Sequence, residues 1–441
     1  MISDTRAGIY AEKLSRMIRK ETVSAEDQKD ILKFYEFRVL IKSLFPNIFS
    51  VCELEDFDGS FLMRWKGTGG GEPILLMNHH DVVEATGRWS HGPFSGEIAE
   101  GKVWGRGALD TKGGLCAMLQ AADEAAEQGF RPKRDIYFMS SCNEECSGAG
   151  ADAISRALKK RGVHFHMVLD EGGMILDEPI SGAKGTFAIV GIGEKGCADL
   201  KFIARSSGGH ASTPGKNTPL VRLGKFMRAV EKGGLFKAEI SPAVAATFSS
   251  LSSSMQGPMK YLLGHSRLFT PILTRAIPRV SNTAGAMLKT TVAFTMARGS
   301  EGMNVLPNEA WVIGNMRYSH HQGREKSFKS IIHLAKKFDI ETVVLNPGFD
   351  SVLSDHKSEA FRQIGKAVAS VFGTEVKTAP YVMTAASDSR YMSRVCENCF
   401  RFTPFRITSD QLDSIHGINE NVDIASLAPA VDFYRYVITE V

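Results

Sequence analysis

The sequence lacks the features that mark exported, membrane-spanning or nucleic-acid-binding proteins. No uninterrupted apolar stretch in its 441 residues is long enough to cross a bilayer. The segment Met1 to Arg6 has no cationic part followed by an apolar one, so we expect no signal peptide. The formal net charge of +4 is small, and no dense Lys/Arg stripe is interleaved with aromatics. We therefore expect neither nucleic acid nor a membrane as a partner.

Cysteine is scarce and scattered along the chain. An odd number of cysteines, seven, without an export signal favours reduced thiols and a cytoplasmic location. Cys396 and Cys399 have the spacing of a redox motif, but no second pair or neighbouring histidine completes a metal site with them. We therefore expect these two cysteines to be structural.

The composition is that of a globular protein, with 43% hydrophobic and 23% charged residues. The chain is too long for one ordinary core, which predicts more than one domain. In residues 1–190, short apolar runs alternate with helical patterns, which indicates an α/β domain with a mainly parallel sheet. The same pattern returns in residues 320–441, so we expect these two parts to form one domain.

Residues 191–319 have a different pattern. Strands with a two-residue period flank a helix there, which predicts an inserted α+β domain. The predicted elements of the insert are strands at 197–205, 289–295 and 309–317 and a helix at 215–233.

A short apolar run, Ile74 to Met77, ends abruptly in Asn78-His79-His80-Asp81. Such a run predicts a buried strand of a parallel sheet, and in open α/β sheets ligands bind at the carboxyl ends of the strands. Imidazole and carboxylate groups together at such an end are ligands for a metal ion. Alone, the cluster is equally compatible with a strand that merely ends in polar residues.

Further acidic or histidine clusters follow other predicted elements. A single acidic strand end is usually a helix cap or a solvated turn. Several such ends at one sheet edge would crowd negative charge, which raises carboxylate pKa values and destabilises the fold unless a cation offsets it. The sequence therefore predicts a metal centre. The clusters contain Asp110, Glu144 and Glu145, Asp170 and Glu171, and His416.

These clusters lie in distinct sequence motifs, which are His79-His80-Asp81-Val82-Val83, Gly105-Arg106-Gly107 through Asp110 to Lys112-Gly113, Glu144-Glu145, Asp170-Glu171-Gly172, Gly209-His210-Ala211-Ser212-Thr213-Pro214 and His416-Gly417-Ile418-Asn419-Glu420. Over nearly its whole length the chain resembles the two-zinc aminoacylase and carboxypeptidase metallopeptidase family, which also holds acetylornithine deacetylases and succinyl-diaminopimelate desuccinylases. It is most similar to the carboxypeptidase S branch, through Glu194-Lys195-Gly196, Lys289-Thr290-Thr291 and Asn304 to Pro307.

The resemblance implies a dizinc exopeptidase-like catalytic domain with an inserted lid. One zinc ion would be held by His79, Asp110 and Glu171, and the other by Glu145, His416 and the bridging Asp110. Asp170 competes with Glu171 for its position, and His80 is expected not to be a ligand. Mn²⁺ or Co²⁺ is an alternative to Zn²⁺ in such sites.

The resemblance also implies the catalytic roles. Asp81 would accept the second ring N–H of His79 and fix its tautomer. Glu144 would be the general base that activates water and then protonates the leaving amine. Cys142 and Cys146, which flank the glutamates, are expected to face packing.

The insert matches the lid domain of the family, which implies a homodimer formed through that domain. His210 would stabilise the tetrahedral oxyanion, in its own or in the partner subunit's active site. Asn304, Arg317 and Arg390 are candidates for substrate binding, and either arginine could bind a carboxylate bidentately.

The expected activity is cleavage of an amide bond in N-acyl amino acids or of the C-terminal bond of short peptides, with release of a free amino acid. A dipeptidase or a deacylase of a polar amino acid such as acetylornithine is the alternative within the enzyme class. A zinc-containing binding protein without turnover is the alternative outside it, although Glu144, Asp81 and His210 are all present.

The stretch 240–290 is rich in Ser, Pro and Met, and its elements cannot be assigned from the sequence. Its apolar residues could form a pocket for an apolar acyl group or side chain, or they could be lid core or dimer surface. These residues are Met255, Met259, Tyr261, Leu262, Leu263, Leu268, Phe269, Ile272 and Leu273.

Overall fold

The computed structural model describes residues 5–441. The helices in this part are α1 (Thr5–Arg19), α2 (Leu32–Leu44), α3 (Pro46–Val51), α4 (Lys112–Glu127), α5 (Ala149–Lys160), α6 (Pro219–Glu231), α7 (Pro242–Ser252), α8 (Gly257–Gly264), α9 (Thr270–Val280), α10 (Asn282–Met287), α11 (Gly323–Lys336), α12 (Glu359–Phe372), α13 (Ser389–Met392), α14 (Ser409–Ser414) and α15 (Ile424–Glu440).

The strands are β1 (Cys52–Phe57), β2 (Ser60–Trp65), β3 (Ile74–His79), β4 (Ile98–Ala99), β5 (Lys102–Trp104), β6 (Ile136–Ser141), β7 (Met167–Asp177), β8 (Thr186–Glu194), β9 (Gly196–Arg205), β10 (Gly209–His210), β11 (Thr291–Arg298), β12 (Val305–Leu306), β13 (Glu309–Tyr318), β14 (Glu341–Phe349), β15 (Lys377–Met383), β16 (Cys399–Ile407) and β17 (Asn421–Asp423).

Eight strands form the large sheet, in the order β1-β2-β6-β3-β7-β16-β8-β15. The four neighbouring strands β6, β3, β7 and β16 are all parallel to one another, and β8 and β15 form a further parallel pair. Strands β1 and β2 extend the sheet as an antiparallel hairpin. The prediction of an α/β fold with a mainly parallel sheet is confirmed.

Strand β3 is the fourth of the eight strands in this sheet, and every one of its residues is buried. It pairs in parallel with β6, so that His79 lies opposite Ser141, and with β7, so that Leu76 lies opposite Leu169. Parallel neighbours end at the same edge. The chain segments after β3 and β6 therefore emerge side by side.

Helices α1, α4 and α15 cover one face of the large sheet. Leu14 of α1, Leu119 of α4 and Phe433 of α15 belong to one buried core with the apolar side chains of the strands. Helix α4 is buried along most of its length and begins at Lys112, two residues after Asp110. Packing of α4 thereby fixes the chain that carries Asp110.

Four antiparallel strands form a second, small sheet in the order β11-β13-β9-β14. Helices α6 and α11 pack on it through Phe226 and Ile331, which join Phe202 in a separate core. The inserted α+β character expected here is present. The limit predicted at residue 319 falls between β13 and β14, whereas the small sheet itself runs to Phe349 because β14 pairs with β9. The predicted limits of the inserted domain, residues 191 and 319, stay a prediction.

The stretch 240–290 forms the four helices α7 to α10. Val244, Phe248 and Leu273 of these helices pack with Phe187 of β8 and Ala379 of β15. Among the apolar residues with two interpretations, Met255, Leu263 and Leu273 are thus core residues against the edge of the large sheet. Met259, Tyr261, Leu268 and Ile272 are exposed. Within residues 5–441, no helix has both the length and the hydropathy needed to cross a membrane.

Candidate metal centre

Asp110 lies between two histidines at the edge of the large sheet. Its Oδ1 is 3.0 Å from His79 Nε2 and its Oδ2 is 3.1 Å from His416 Nε2. His416 Nε2 is also 3.1 Å from Oε2 of Glu145. Ligand atoms of His79, Asp110 and Glu145 all lie within 4.8 Å of one another. A carboxylate with one histidine on each oxygen has the arrangement of a ligand that bridges two metal ions.

The charges of this cluster fit a bound cation. Burial, together with Asp110 and Asp170, raises the pKa of Glu171 well above its usual value. Burial and the carboxylate of Asp110 also raise the pKa of Glu145. Hydrogen bonds to Asp110 and Glu145 raise the pKa of His416 to about 10. A raised pKa means that these groups hold their protons more tightly than isolated side chains do, and a metal ion would displace such protons when it binds these ligands.

His79 is held at the end of β3 by its neighbours on both sides. The hydroxyl of Thr111 donates to the carbonyl oxygen of His79 over 2.8 Å. Nδ1 of His79 lies 2.9 Å from the carbonyl oxygen of Asp81 and 3.4 Å from its carboxylate. The orienting contact expected from Asp81 is therefore made mainly by its backbone oxygen. With Nδ1 engaged in this way, Nε2 faces Asp110.

The carboxylate of Asp81 organises the turn that carries the two glutamates. It accepts hydrogen bonds from the backbone N–H groups of Glu144 over 3.2 Å and Glu145 over 3.1 Å. The hydroxyl of Ser24 donates to the same carboxylate over 2.7 Å. Asp81 is completely buried. It thus joins the end of β3 to the turn after β6, which are adjacent because the strands are parallel.

The match with a protein-family description covers most of this chain. The description "Peptidase family M20/M25/M40" matches residues 75–440, which include every ligand candidate named above. The chain belongs to this peptidase family. It is therefore a hydrolase that acts on amide or peptide bonds with the help of metal ions, which confirms the predicted enzyme class.

Two relatives show the same relationship, and one solved structure shows the same fold. The chain is 31% identical over 449 residues to "Probable carboxypeptidase S-like 2" of Dictyostelium discoideum, covering 97% of this chain and 84% of that one. It is 30% identical over 434 residues to the human "N-fatty-acyl-amino acid synthase/hydrolase PM20D1", covering 96% and 86%. The fold is similar, with a TM-score of 0.73 and 16% identity, to an M20 family metallo-carboxypeptidase from Sulfolobus solfataricus, covering 97% and 98%.

Glu420 is a member of this M20-family site that the sequence did not single out. Its buried carboxylate accepts hydrogen bonds from the backbone N–H groups of Gly107, Leu109 and Asp110 over 3.1, 2.8 and 3.1 Å. Arg106 donates to the other oxygen over 2.7 Å. The available signal was its position in the same short motif as His416.

The contacts of Asp170 and Glu171 indicate which of the two is the better candidate for a metal ligand. One oxygen of Asp170 accepts from the backbone N–H of Glu171 over 2.9 Å, and the other accepts from Ser389 N–H over 2.7 Å. Both residues lie inside β7, where the pairing with β16 shifts register, and not after the end of a strand as predicted. Because backbone donors occupy both oxygens of Asp170, Glu171 is the better candidate for a ligand.

His80 is a core residue. Its ring stacks on Phe37 with centroids 5.2 Å apart and lies 5.9 Å from Phe61. Its Nδ1 is 2.8 Å from the hydroxyl of Ser140. Burial lowers the pKa of His80 to about 3, so the ring is neutral. These contacts make His80 part of the packed core and support the expectation that it is not a metal ligand.

Arg390 approaches the glutamate that was predicted to be the base. Its Nη1 is 3.6 Å from Oε1 of Glu144, and its guanidinium lies over the rings of Phe349 and Tyr391 at 4.9 and 4.8 Å. Arg317 instead lies on β13 of the small sheet, where its Nε donates to Asn315 over 3.0 Å. Of the two arginine candidates, Arg390 is the one with a described contact with Glu144, whereas the described hydrogen bond of Arg317 is with Asn315.

His210 lies on β10 and Asn304 directly precedes β12, and these two short strands pair as a two-stranded antiparallel sheet. Both side chains are exposed, and Nδ1 of His210 is 2.7 Å from the hydroxyl of Ser212. The carbonyl oxygen of Asn304 accepts from the N–H of Ala211 over 2.9 Å. Among the contacts described for residues 5–441, none brings either residue to the metal cluster of the same chain.

Proposed function

We propose that the chain is a two-zinc hydrolase that cleaves the amide bond of N-acyl amino acids or the C-terminal bond of short peptides and releases a free amino acid. The observation that carries this proposal is the position of Asp110 between His79 and His416, next to Glu145. The relatives named as a carboxypeptidase S-like protein and an N-fatty-acyl-amino acid synthase/hydrolase support both substrate classes.

Five side chains are the proposed ligands. His79 and Glu171 would hold one zinc ion, Glu145 and His416 the other, and Asp110 both. When bound, the ions polarise the scissile carbonyl and lower the pKa of a water molecule towards about 7. Nitrogen and oxygen ligands of this kind suit zinc, and Mn²⁺ or Co²⁺ is an alternative.

Glu144 is the proposed general base. Burial, with the nearby carboxylates of Asp388 and Glu171, raises its pKa well above the usual value for glutamate. A raised pKa makes a carboxylate a stronger proton acceptor. Glu144 takes a proton from the attacking water and delivers it to the nitrogen of the leaving amine as the C–N bond breaks. The nearby Arg390 keeps this carboxylate oriented.

Arg390 is also the proposed partner of the substrate's free carboxylate, which both an N-acyl amino acid and a peptide C-terminus carry. Its guanidinium fork is suited to bidentate binding of a carboxylate. Arg317 and Asn304 remain secondary candidates for substrate binding. A dipeptidase, or a deacylase of a polar amino acid, uses the same groups and is the alternative; a binding protein without turnover is a third candidate.

The proposal includes a homodimer formed through the inserted domain, in the cytoplasm. Strand β11 is an edge strand of the small sheet and is largely exposed, which supports pairing with a second copy. In such a dimer His210 reaches the active site of the partner, where it stabilises the oxyanion of the tetrahedral intermediate.

The test is a substrate panel of N-acyl amino acids and dipeptides, assayed with added Zn²⁺, after removal of metal, and after readdition of it. Glu144→Gln should abolish turnover and retain the metal, whereas Glu127→Gln, an exposed change at the end of α4, should leave turnover unchanged. Amide hydrolysis that survives both metal removal and Glu144→Gln would falsify the proposal. Metal binding without turnover of any substrate in the panel would favour the binding protein.

A further inference from the structure

Residues 240–300 contain no aspartate or glutamate, although the chain has 49 acidic residues. The same stretch has six Lys or Arg residues. A stretch of this length would carry several acidic residues if they were evenly distributed. The stretch itself therefore contributes only positive side-chain charges to the surface.

Apolar side chains are exposed on the outside of this stretch, from Tyr261 on α8 through Leu268 between the helices to Ile272 on α9. Leu268 is 76% exposed, Tyr261 59% and Ile272 56%. The opposite side of α9 is buried, since Leu273 and Ile277 pack into the core against the large sheet. The exposed apolar side chains are therefore additional to those that fold the segment.

The exposed apolar and basic side chains share one surface. Ile272, Arg275 and Arg279 follow one another at spacings of three and four residues along α9, which places them on one helix face. Tyr261 of α8 contacts Phe269 at the start of α9, with ring centroids 5.7 Å apart. The outer faces of the two helices are therefore continuous.

The guanidinium groups of Arg275 and Arg279 contact only their own helix among the described contacts. Arg275 donates to the carbonyl oxygen of Pro271 over 2.8 Å, and Arg279 donates to that of Arg275. Within residues 5–441, the described ion pairs include none with Arg267, Arg275 or Arg279. Their charges are not neutralised by the chain itself.

We propose that this surface, the cationic–apolar patch, docks on an anionic phospholipid bilayer. The patch consists of Tyr261, Leu268 and Ile272 with Arg267, Arg275 and Arg279. An amphipathic helical surface lies in a bilayer interface by burying its apolar side chains among the acyl chains while its cations face the lipid headgroups. The contact is peripheral, and it revises the expectation that the protein has no membrane partner.

The mixture of charge and apolar side chains selects this partner over two others. In a symmetric contact between two copies, the same patch would face itself, so arginines would oppose arginines across an interface without acidic residues. Nucleic acid would pair with the cations but would leave the aliphatic side chains Leu268 and Ile272 without partners. A bilayer with anionic headgroups satisfies both kinds of side chain.

The test measures binding of the full-length, metal-loaded protein to vesicles by cosedimentation, without substrate, so it does not depend on the proposed function. Phosphatidylglycerol vesicles should bind the protein, more weakly as salt rises, and phosphatidylcholine vesicles should not. Each cation near an anionic surface strengthens binding about fivefold, so the triple variant Arg267→Gln, Arg275→Gln and Arg279→Gln should weaken it about a hundredfold. The triple change Lys326→Gln, Lys329→Gln and Lys336→Gln on α11 removes the same charge and should have little effect.

A second readout reports insertion. The tryptophan fluorescence emission of Leu268→Trp should shift to shorter wavelength when phosphatidylglycerol vesicles are added. The emission of Val39→Trp, on the exposed face of α2, should show no shift. Absence of binding, equal binding to both lipids, or equal losses in the two triple variants would overturn the proposal. So would self-association that depends on the three arginines without vesicle binding, because the patch would then be a contact between copies.

Discussion

The buried carboxylate of Glu420 accepts a hydrogen bond from the backbone N–H of Asp110 across 3.1 Å. The same oxygen accepts from the N–H groups of Gly107 and Leu109, and the other oxygen pairs with Arg106. One carboxylate thus fixes the turn that places Asp110 between its two histidines. Glu420 acts on the site through Asp110 and is a positioning residue.

Glu420→Gln should weaken metal binding because the neutral amide loses the charge-assisted hydrogen bonds that hold this turn. Loss of such a supporting contact typically costs about 10–100-fold in metal affinity. Competition with a chelator measures the affinity. The matched control is Asp123→Asn, which alters a buried carboxylate that accepts from the N–H groups of Asn47 and Ile48. It should lower stability with metal affinity unchanged. Equal metal affinity in Glu420→Gln and the native protein would contradict the role of Glu420.

Arg390→Lys should reduce discrimination for a free carboxylate on the substrate. Hydrogen bonds to a charged group contribute about 1.5–3 kcal/mol, so the native enzyme should lose roughly 10–150-fold in kcat/KM when that carboxylate is blocked as a methyl ester. Lysine keeps the charge but lacks the bidentate fork, so the ratio between free acid and ester should shrink in this variant.

Arg317→Lys is the matched control for Arg390→Lys. Because the described contact of Arg317 is with Asn315 on β13, its ratio between acid and ester should stay near that of the native enzyme. The reverse result, a shrunken ratio in Arg317→Lys alone, would transfer carboxylate binding to the small sheet.

The sequence located the ligand-bearing segments because strand ends leave a local pattern. In β3 the apolar run Ile74 to Met77 and the polar residues after it are contiguous in the sequence. Parallel pairing with β6 then brings the segments after the two strands to the same edge of the sheet. Glu420 left no such pattern. Its partners lie more than three hundred residues earlier, and an acidic residue among Gly and Asn looks like a solvated loop until the fold brings Arg106 to it.

Strand β16 was missed for a related reason. It contains Arg401 and Pro404, a charged residue and a proline, which are atypical of a strand inside a sheet. Arg401 is nevertheless buried, with its guanidinium 3.6 Å from the buried carboxylate of Glu194 on β8. That compensating charge comes from a distant part of the chain, and periodicity within β16 carries no information about it.

The starts of the helices in residues 240–290 are marked by prolines in the sequence, although hydrophobic periodicity did not identify these helices. Pro242, Pro258 and Pro271 each stand in the first turn of a helix, α7, α8 and α9. Proline is favoured there because the first helical N–H groups have no partner within the helix. Prolines at this spacing therefore mark helix starts and not only interruptions.

Lys195→Met should change the pH dependence of stability. Lys195 is buried where β8 passes into β9, and its Nζ lies 2.9–3.0 Å from the carbonyl oxygens of Ala286 and Lys289 and from the hydroxyl of Thr291. Burial, with the charges of Arg317 and Lys289, lowers its pKa from 10.5 to about 7. Between these values the unfolded chain binds the proton and the folded protein does not, so this lysine's contribution to stability increases as pH rises.

Urea unfolding across this pH range measures the effect. The difference in unfolding free energy between the native protein and Lys195→Met should move in favour of the native protein as pH rises from about 7 to 10.5. Lys184→Met, at an exposed position, should show no such trend. A difference that is constant over this range would mean that Lys195 keeps its proton when folded.

His210 and Glu144 should complement each other between subunits. His210→Ala should lower kcat by about 10²–10³, as loss of one oxyanion donor does, and Glu144→Gln should lower it at least as much. If His210 serves the partner's site, a mixed dimer of the two variants contains one site with an intact Glu144 from one chain and an intact His210 from the other. Mixing the inactive variants under conditions of subunit exchange should then restore activity. If His210 acts in its own subunit, every site in the mixture carries one of the two substitutions, and the mixture stays inactive.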